Sequence, residues 1–275
     1  MAISEQDFQF VQKLVHARAG LCIETGKERA VELRLDPIAR QEGFGSVNDF
    51  VAHLRLNPFC AFNHKVVEAM TTSETLFFRD ARPFEVLATH VIPELIKQRA
   101  AERCLTFWCA ASSSGQEPYS VVMLLREHFS QLSSWNVRFI ASDLSTEMLA
   151  RAIQGRYSEL EVNRGLPAHL RVKYFKKSGA EWRIQESVRR SVEFRELNLS
   201  ESWSFLPKSD VIFLRNVLIY LDAEVKRDIL GRARQLLKPG GFLLLGSSES
   251  TVNLDDSFEP LPISGSSCFQ VRNGR

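Results

Sequence analysis

Several short polar segments interrupt apolar runs in the second part of this 275-residue chain, and their residue types suit a nucleoside-bearing ligand. Ser112-Ser-Ser-Gly-Gln-Glu-Pro118 overlaps the end of the apolar run Leu105–Ser112. Gly115 would let backbone approach a ligand closely, and Pro118 suits a first helical turn. Plainer uses exist for two of these residues: Gly115 in a tight turn, Glu117 as a carboxylate at the positive end of a helix dipole. Asp143 closes the next apolar run, Val137–Asp143. An acid at the end of a second strand commonly accepts hydrogen bonds from ribose hydroxyls, although Asp143 could instead cap the following helix. Arg215 and Asn216 stand inside the apolar run Leu214–Leu221. Burying them unpartnered would cost a few kcal/mol, so they point to a ligand or to each other. Tyr220, in the same run, reads equally as a core aromatic. Met70–Asp80 gathers several hydroxyls, Phe77, Phe78 and Arg79 where the pattern of the chain changes and a cleft would open, or where a linker simply passes.

What is missing narrows the ligand. The chain has neither GxGxxG nor GxxxxGK[ST], which argues against dinucleotides and nucleoside triphosphates. The adenosine of S-adenosylmethionine needs ribose and adenine contacts but no phosphate cradle. Gly246-Ser-Ser-Glu-Ser250 lacks the second glycine of GxSxG, and no His–Asp pair follows it, so a serine hydrolase is rejected.

These segments need a scaffold, and the apolar spacing supplies one. Residues 1–75 read as a small helical domain. Phe8, Val11, Leu14, Val15 and Ala19 recur at helical spacing before Gly20, Ser46 with Asp49 suits a cap, and Asn63 could start another helix. Residues 76–275 read as an α/β domain. Helices are expected at Pro83–Ala100, Glu117–Phe129, Thr146–Gln154 and Ala223–Leu237, the last ended by Pro239-Gly240-Gly241. Strands are expected at Leu105–Ser112, Val137–Asp143, Val192–Leu197, Asp210–Leu214 and Phe242–Gly246, with an antiparallel Ser267–Val271 at the end. Alternating apolar strands and amphipathic helices predict a parallel sheet covered on both faces. Within 155–191, Val172–Phe175 and Glu181–Gln185 around Ser178-Gly179 predict a small hairpin subdomain.

Composition sets limits on partners. The net charge of +2 gives no argument for nucleic acid, and residues 1–75 carry eight basic against ten acidic side chains. Residues 151–200 hold eleven Lys/Arg against six Asp/Glu, which suits an acidic partner or simply a solvated face. No apolar run reaches the ~18 residues of a membrane span, and Met1–Phe10 lacks the apolar core of a secretory signal. Five scattered cysteines without a CxxC pair read as reduced, buried, cytosolic thiols, and the histidines show no metal-ligand spacing, so no metal is expected.

Taken in order, Thr71–Arg79, Ser114–Ser120, Ala141–Asp143, Asn198-Leu199, Arg215–Tyr220 and Leu237–Gly241 resemble the chemotaxis receptor methyltransferases, the CheR family. The resemblance covers essentially the whole chain. It implies a Rossmann-like methyltransferase sheet domain behind an all-α domain. It implies transfer of a methyl group from S-adenosylmethionine to glutamate carboxylates on the cytoplasmic domain of chemoreceptors, with S-adenosylhomocysteine released. By the same resemblance Ser73, Thr75, Arg79, Gly115, Glu117, Asp143, Asn198, Leu199, Arg215, Asn216 and Val217 would line the cofactor site. Arg79 and Tyr220 would flank the reacting methyl group. Ser73 stands where the family usually has Asn, and Gln116 where Glu is common. The turn at Ser178-Gly179 is shorter than in members that dock a receptor tail. A cytoplasmic monomer follows, with no nucleic acid and no membrane insertion. The competing readings are a methyltransferase of the same fold acting on a small molecule or RNA, and a non-catalytic module that keeps the fold.

Overall fold

The computed structural model describes residues 2–272; the outermost ends of both expected domains, Met1 and 273–275, lie outside the described residues. The chain forms two compact units: residues up to Thr72 together with Tyr220–Val225, and Ser73–Ile219 together with the chain from Lys226 onward.

The first unit is helical: α1 (Glu5–Ala19), α2 (Glu28–Gln41), α3 (Val47–Leu56) and α4 (Phe62–Met70). Local chemistry sets the ends. Ser4 Oγ accepts the Asp7 amide at the start of α1, and Ser46 does the same for Asp49 at the start of α3. Gly20 ends α1 at φ 68°, where its N–H reaches the His16 carbonyl. Phe8, Val11, Val15, Leu35, Phe50 and Leu54 are all buried, forming an apolar seam between the helices.

The second unit opens with α5 (Ala81–Val86), a π-turn at Leu87–Val91, and α6 (Ile92–Gln98). The single helix expected over Pro83–Ala100 is therefore interrupted. Pro93 has no N–H to return to the preceding turn, and Thr89 Oγ1 donates to the Glu85 carbonyl at 2.7 Å. Then follow β1 (Cys104–Cys109), α7 (Gln116–His128), β2 (Asn136–Asp143), α8 (Thr146–Gln154), β3 (Arg156–Ser158), α9 (Glu159–Asn163), α10 (Ala168–Tyr174), β4 (Phe175–Ser178), β5 (Glu181–Ile184), α11 (Glu186–Arg189), β6 (Val192–Glu196) and β7 (Ser209–Leu214). The remaining elements are α12 (Ala223–Leu236), β8 (Leu237–Leu245), β9 (Phe258–Pro260) and β10 (Cys268–Val271).

Seven strands form one sheet in the order β6-β2-β1-β7-β8-β10-β9. The first five run parallel, and β10 closes antiparallel against β8, as the residue pattern predicts. β1 ends at Cys109 rather than Ser112, because Ala110–Ser112 turn into the loop before α7. β8 begins at Leu237, earlier than expected, with a register shift against β7 that lets Pro239–Gly241 lie within the strand.

The hairpin subdomain is a three-stranded antiparallel sheet, β3-β5-β4. Its first strand differs from the expected Val172–Phe175. Leu170 and Tyr174, four residues apart, bury one face of α10 while Val172 stays exposed, so that stretch is helical and β4 starts only at Phe175.

A buried carboxylate ties the amino ends of the central strands. Asp210, fully buried, accepts from the Thr106 amide, Arg99 Nε and Lys238 Nζ, each at 2.8 Å. These contacts sit at the strand starts, opposite the ends where ligands bind in such sheets, so the cluster is structural. Asp210→Ala should cost about 3 kcal/mol of unfolding free energy by urea titration, the penalty of stranding its two cations and one buried amide.

Candidate functional site

The order of strands reverses at β1, whose neighbours are β2 on one side and β7 on the other. Ligands in open α/β sheets bind beyond the carboxyl ends at such a switch. Every segment singled out after a strand in this unit meets that edge: Ala110–Gln116 after β1, Leu144-Ser145 after β2, Leu197–Leu199 after β6 and Arg215–Val217 after β7.

Asp143 binds these loops together. Its carboxylate accepts the Ser113 amide at 2.7 Å and the Ser145 amide at 2.9 Å, while its carbonyl accepts the Leu197 amide at 3.0 Å. Helix α8 is capped by Ser145, whose Oγ accepts the Met148 amide, so Asp143 is not its cap. Asn198 and Leu199 follow directly, both half-buried, with the Asn198 Oδ1 accepting the Ser200 amide.

The loop after β1 is held in an unusual conformation. Ala111, Ser113 and Gly115 all have positive φ, 50°, 49° and 91°. A Cβ at Gly115 would lie 3.0 Å from Ala152 Cβ and 3.1 Å from Tyr119 Cε2, so glycine is demanded by φ and by packing against α8. The tight-turn reading of Gly115 is thus the one the backbone supports. Of seven non-glycine residues with positive φ among the described residues, five (Phe78, Asp80, Ala111, Ser113, Asn216) fall in the segments that build this edge. Such clustering of strained backbone is characteristic of binding sites.

Arg215 is the hub. Its side chain is 1% exposed and donates to Glu117 Oε2 at 2.7 Å, to the Arg79 carbonyl at 2.8 Å and to Asp80 Oδ2 at 3.2 Å, with Phe84 beneath it. It does not pair with Asn216: the partners are a carboxylate 98 positions away and a second 135 away. Burial raises the Glu117 carboxyl above its usual range, and Glu249 adds to this; Arg215 and then Arg79 oppose it. Glu117 therefore does more than sit at the start of α7. Burial, reinforced by Glu117, also pushes the Cys109 thiol well up, so it stays protonated and is no nucleophile.

Arg79 Nη1 donates to the Glu74 carbonyl at 2.9 Å, and Ser113 Oγ donates to the Ser73 carbonyl at 2.7 Å. The Ser73–Asp80 segment is thereby fastened to the loops after β1 and β7, with Thr75 half-buried within it. Ser73 contributes through its backbone, where the side-chain type matters less. Val217 is half-buried beside Asn216. Tyr220 groups with the helical unit, where its carbonyl accepts the Cys22 amide at 2.8 Å.

Two family patterns match the sequence: the CheR methyltransferase SAM binding domain over residues 73–266, and the CheR methyltransferase all-alpha domain over 6–71. The chain belongs to the CheR methyltransferase family. Chemotaxis protein methyltransferase 1 of Pseudomonas aeruginosa is 40% identical, over 99% of this chain and 100% of its own length. Chemotaxis protein methyltransferase Cher2 of Pseudomonas putida is 39% identical with the same coverage. A chemotaxis protein methyltransferase of Vibrio anguillarum is 38% identical over 94% of each chain. This chain is accordingly an S-adenosylmethionine-dependent methyltransferase with a Rossmann-like sheet domain behind an all-α domain.

The residues of this CheR edge suit S-adenosylmethionine on their own chemistry. Asp80, Glu117, Asp143 and Glu249 against Arg79 and Arg215 are four carboxylates to two guanidinium groups, a formal excess of two negative charges. The cofactor carries a sulfonium, an ammonium and one carboxylate, so its net charge is positive and complementary. Ser112 Oγ and Arg215 Nε are buried and find no hydrogen-bond partner in the protein, which leaves polar groups for a ligand to meet.

Glu249 carries little sign of a site role in the sequence pattern. It is buried, and its carboxylate accepts the amides of Asn216 (2.7 Å), Gly246 (2.7 Å) and Ile219 (3.4 Å). It holds Asn216 at φ 58° and so shapes the loop after β7. A Cβ on Gly246 would strike Asn216 Nδ2 and Glu249 Oε2, each at 2.7 Å, so glycine is required there. The only local hint is the spacing Gly246-Ser-Ser-Glu249, an acid three residues after a strand-end glycine that can fold back on the strand end. We expect Glu249→Ala to lower S-adenosylhomocysteine affinity about tenfold by calorimetry, with Glu249→Gln intermediate because one amide oxygen still accepts.

Proposed function

We propose that this CheR-family enzyme methylates glutamate side chains on the cytoplasmic domain of chemoreceptors, giving methyl esters. The observation that carries the proposal is the buried Arg215–Glu117 pair at the switch edge, joined to Arg79 and Asp80 of the segment 73–80, in a chain of this family. When bound, S-adenosylmethionine supplies an electrophilic methyl group on a sulfonium sulfur.

The roles of this chain's residues follow from the chemistry. A glutamate carboxylate ionises near pH 4 and is already a nucleophile at neutral pH, so no general base is needed. The protein must orient oxygen against methyl and exclude water. In this reading Asp143 receives ribose hydroxyls, with Asn198 and Leu199 beside the adenine side. Glu117, hydrogen-bonded to Arg215, faces the cationic amino-acid end. Asn216, Val217, Ser73 and Thr75 complete the walls. Arg79 flanks the acceptor carboxylate and aligns it.

The partner reading draws on surface charge. Arg156, Arg183 and Lys176 stand directly opposite one another across β3, β5 and β4, all exposed. Cross-strand like charges repel, a cost that an acidic receptor surface would offset. Among the described residues no helix is long and apolar enough to cross a membrane. The enzyme in this reading works in the cytoplasm as a monomer, without nucleic acid.

Arg79→Ala tests the alignment role. Transfer of radiolabelled methyl to receptor fragments should fall about a hundredfold, the scale of a misplaced reacting group. Arg79→Ala with wild-type transfer rate and cofactor affinity would remove Arg79 from the mechanism. Transfer to small acceptors or RNA, with receptors left unlabelled, would favour a different methyltransferase. Failure of the wild-type protein to bind S-adenosylhomocysteine would favour a non-catalytic module.

A further inference from the structure

The cysteines do not share one environment. Cys109 and Cys268 are buried, Cys60 and Cys104 partly so, and Cys22 is exposed; all five are unbridged. The expectation of uniformly buried thiols fails at Cys22, because the chain there leaves α1 and runs along the surface of the helical unit.

That exposed thiol has company. His16 in the last turn of α1, Cys22 beyond it, and Asp222 place one donor atom each within 4.8 Å of one another. His16 Nε2 lies 2.5 Å from Asp222 Oδ2. We propose that His16, Cys22 and Asp222 form a site for a zinc ion.

The scaffold around these donors is fixed by backbone rather than by the side chains themselves. Leu21 and Leu221 form an antiparallel bridge, and the Cys22 amide donates to the Tyr220 carbonyl at 2.8 Å. The His16 carbonyl is held by the Gly20 amide at 2.8 Å. Asp222 Oδ1 accepts the Val225 amide at 2.8 Å, which turns Oδ2 toward His16. Three short segments are thus pinned, and their donors converge.

The donor set selects the metal. One imidazole nitrogen, one thiolate and one carboxylate oxygen make the mixed borderline and soft environment that suits zinc over magnesium or calcium. Three protein ligands leave a fourth position for water, the pattern of an open zinc site. Bound at about 2.0–2.3 Å from each ligand, zinc needs donors roughly 3.2–3.8 Å apart. His16 and Asp222 must therefore separate by about 1 Å, which their partial exposure, 50% and 32%, permits. Sequence spacing carried no trace of the site, since His16 and Asp222 are 206 residues apart. Asp222 lies two residues after Tyr220, so a metal here would stiffen the segment that carries that residue.

The test uses the full-length protein, zinc and cobalt(II). Zinc titrated against a chromogenic chelator should show about one equivalent bound. Cobalt(II) should give a thiolate charge-transfer band with the visible absorption of a tetrahedral centre. Cys22→Ser should abolish the charge-transfer band, and His16→Gln and Asp222→Asn should each weaken zinc binding at least about tenfold. Zinc should raise the unfolding temperature of the wild type and not of Cys22→Ser, a comparison that also confirms the variant folds. No binding at micromolar zinc, or binding and cobalt spectra unchanged in Cys22→Ser, overturns the proposal.

Discussion

Arg215→Ala should cost about 3–5 kcal/mol of unfolding free energy, a large share of the 5–15 kcal/mol typical of a folded domain. The substitution strands the buried Glu117 carboxylate and leaves Asp80 and the Arg79 carbonyl without their donor. Arg215→Lys should recover little, because one ammonium cannot span three acceptors that a planar guanidinium reaches together. Adding Glu117→Gln to Arg215→Ala should restore part of the loss, since the stranded charge is gone. Denaturant unfolding of the wild type, Arg215→Ala, Glu117→Gln and the double variant, read as a double-mutant cycle, measures the coupling.

The same pair predicts a pH signature. Glu117 is raised above its ordinary value chiefly by burial, so the folded protein binds its proton more tightly than the unfolded chain. The contribution of such a group to stability is full below the unfolded value of about 4.5 and is lost as pH rises through the folded value. Without Arg215 the Glu117 pKa rises further. The deficit of Arg215→Ala should therefore shrink as pH is lowered toward the carboxylate range and be largest at neutral pH. A deficit independent of pH would mean that the lost contacts, not the stranded charge, dominate.

Asp143→Ala carries the second large effect. It removes two buried charge-assisted bonds, to the Ser113 and Ser145 amides, that join the loops after β1 and β2. Each is worth roughly 1.5–3 kcal/mol. S-adenosylhomocysteine affinity should fall about a hundredfold by calorimetry, from loss of the loop shape and of the ribose contact together. A cofactor analogue lacking the 2′-hydroxyl separates these contributions. Its penalty should be clear in the wild type and near zero in Asp143→Ala, where the acceptor is already missing. An equal penalty in both proteins would take Asp143 away from the 2′-hydroxyl.

Much of the sheet unit was legible because burial writes a simple code. Five parallel strands read as apolar runs, and Gly115, Glu117, Asp143, Arg215 and Asn216 fall at or just beyond their carboxyl ends by topology alone. Partners that meet through tertiary folding were not legible. Nothing local pairs Arg215 with Glu117 or Asp80, across 98 and 135 positions, and the run around Arg215 invited a false pairing with Asn216. Glu249 is not legible because Gly246–Ser250 locally resembles only an incomplete nucleophile elbow, whereas its acid turns back to hold backbone amides. Residues 168–174 misled because Val172 favours strand while burial of Leu170 and Tyr174 follows the helical period. The π-turn at Leu87–Val91 left only Pro93 as a sign, and a proline near a helix start ordinarily fits without disruption.

The central claim is that a receptor glutamate carboxylate accepts the methyl group. Its most direct measurement incubates the enzyme with radiolabelled S-adenosylmethionine and a chemoreceptor cytoplasmic fragment, then treats the product with mild base. The account predicts receptor-bound label released as methanol by alkali, and lost when the acceptor glutamates are changed to alanine. Label that survives base, or that remains on receptors without those glutamates, would contradict it.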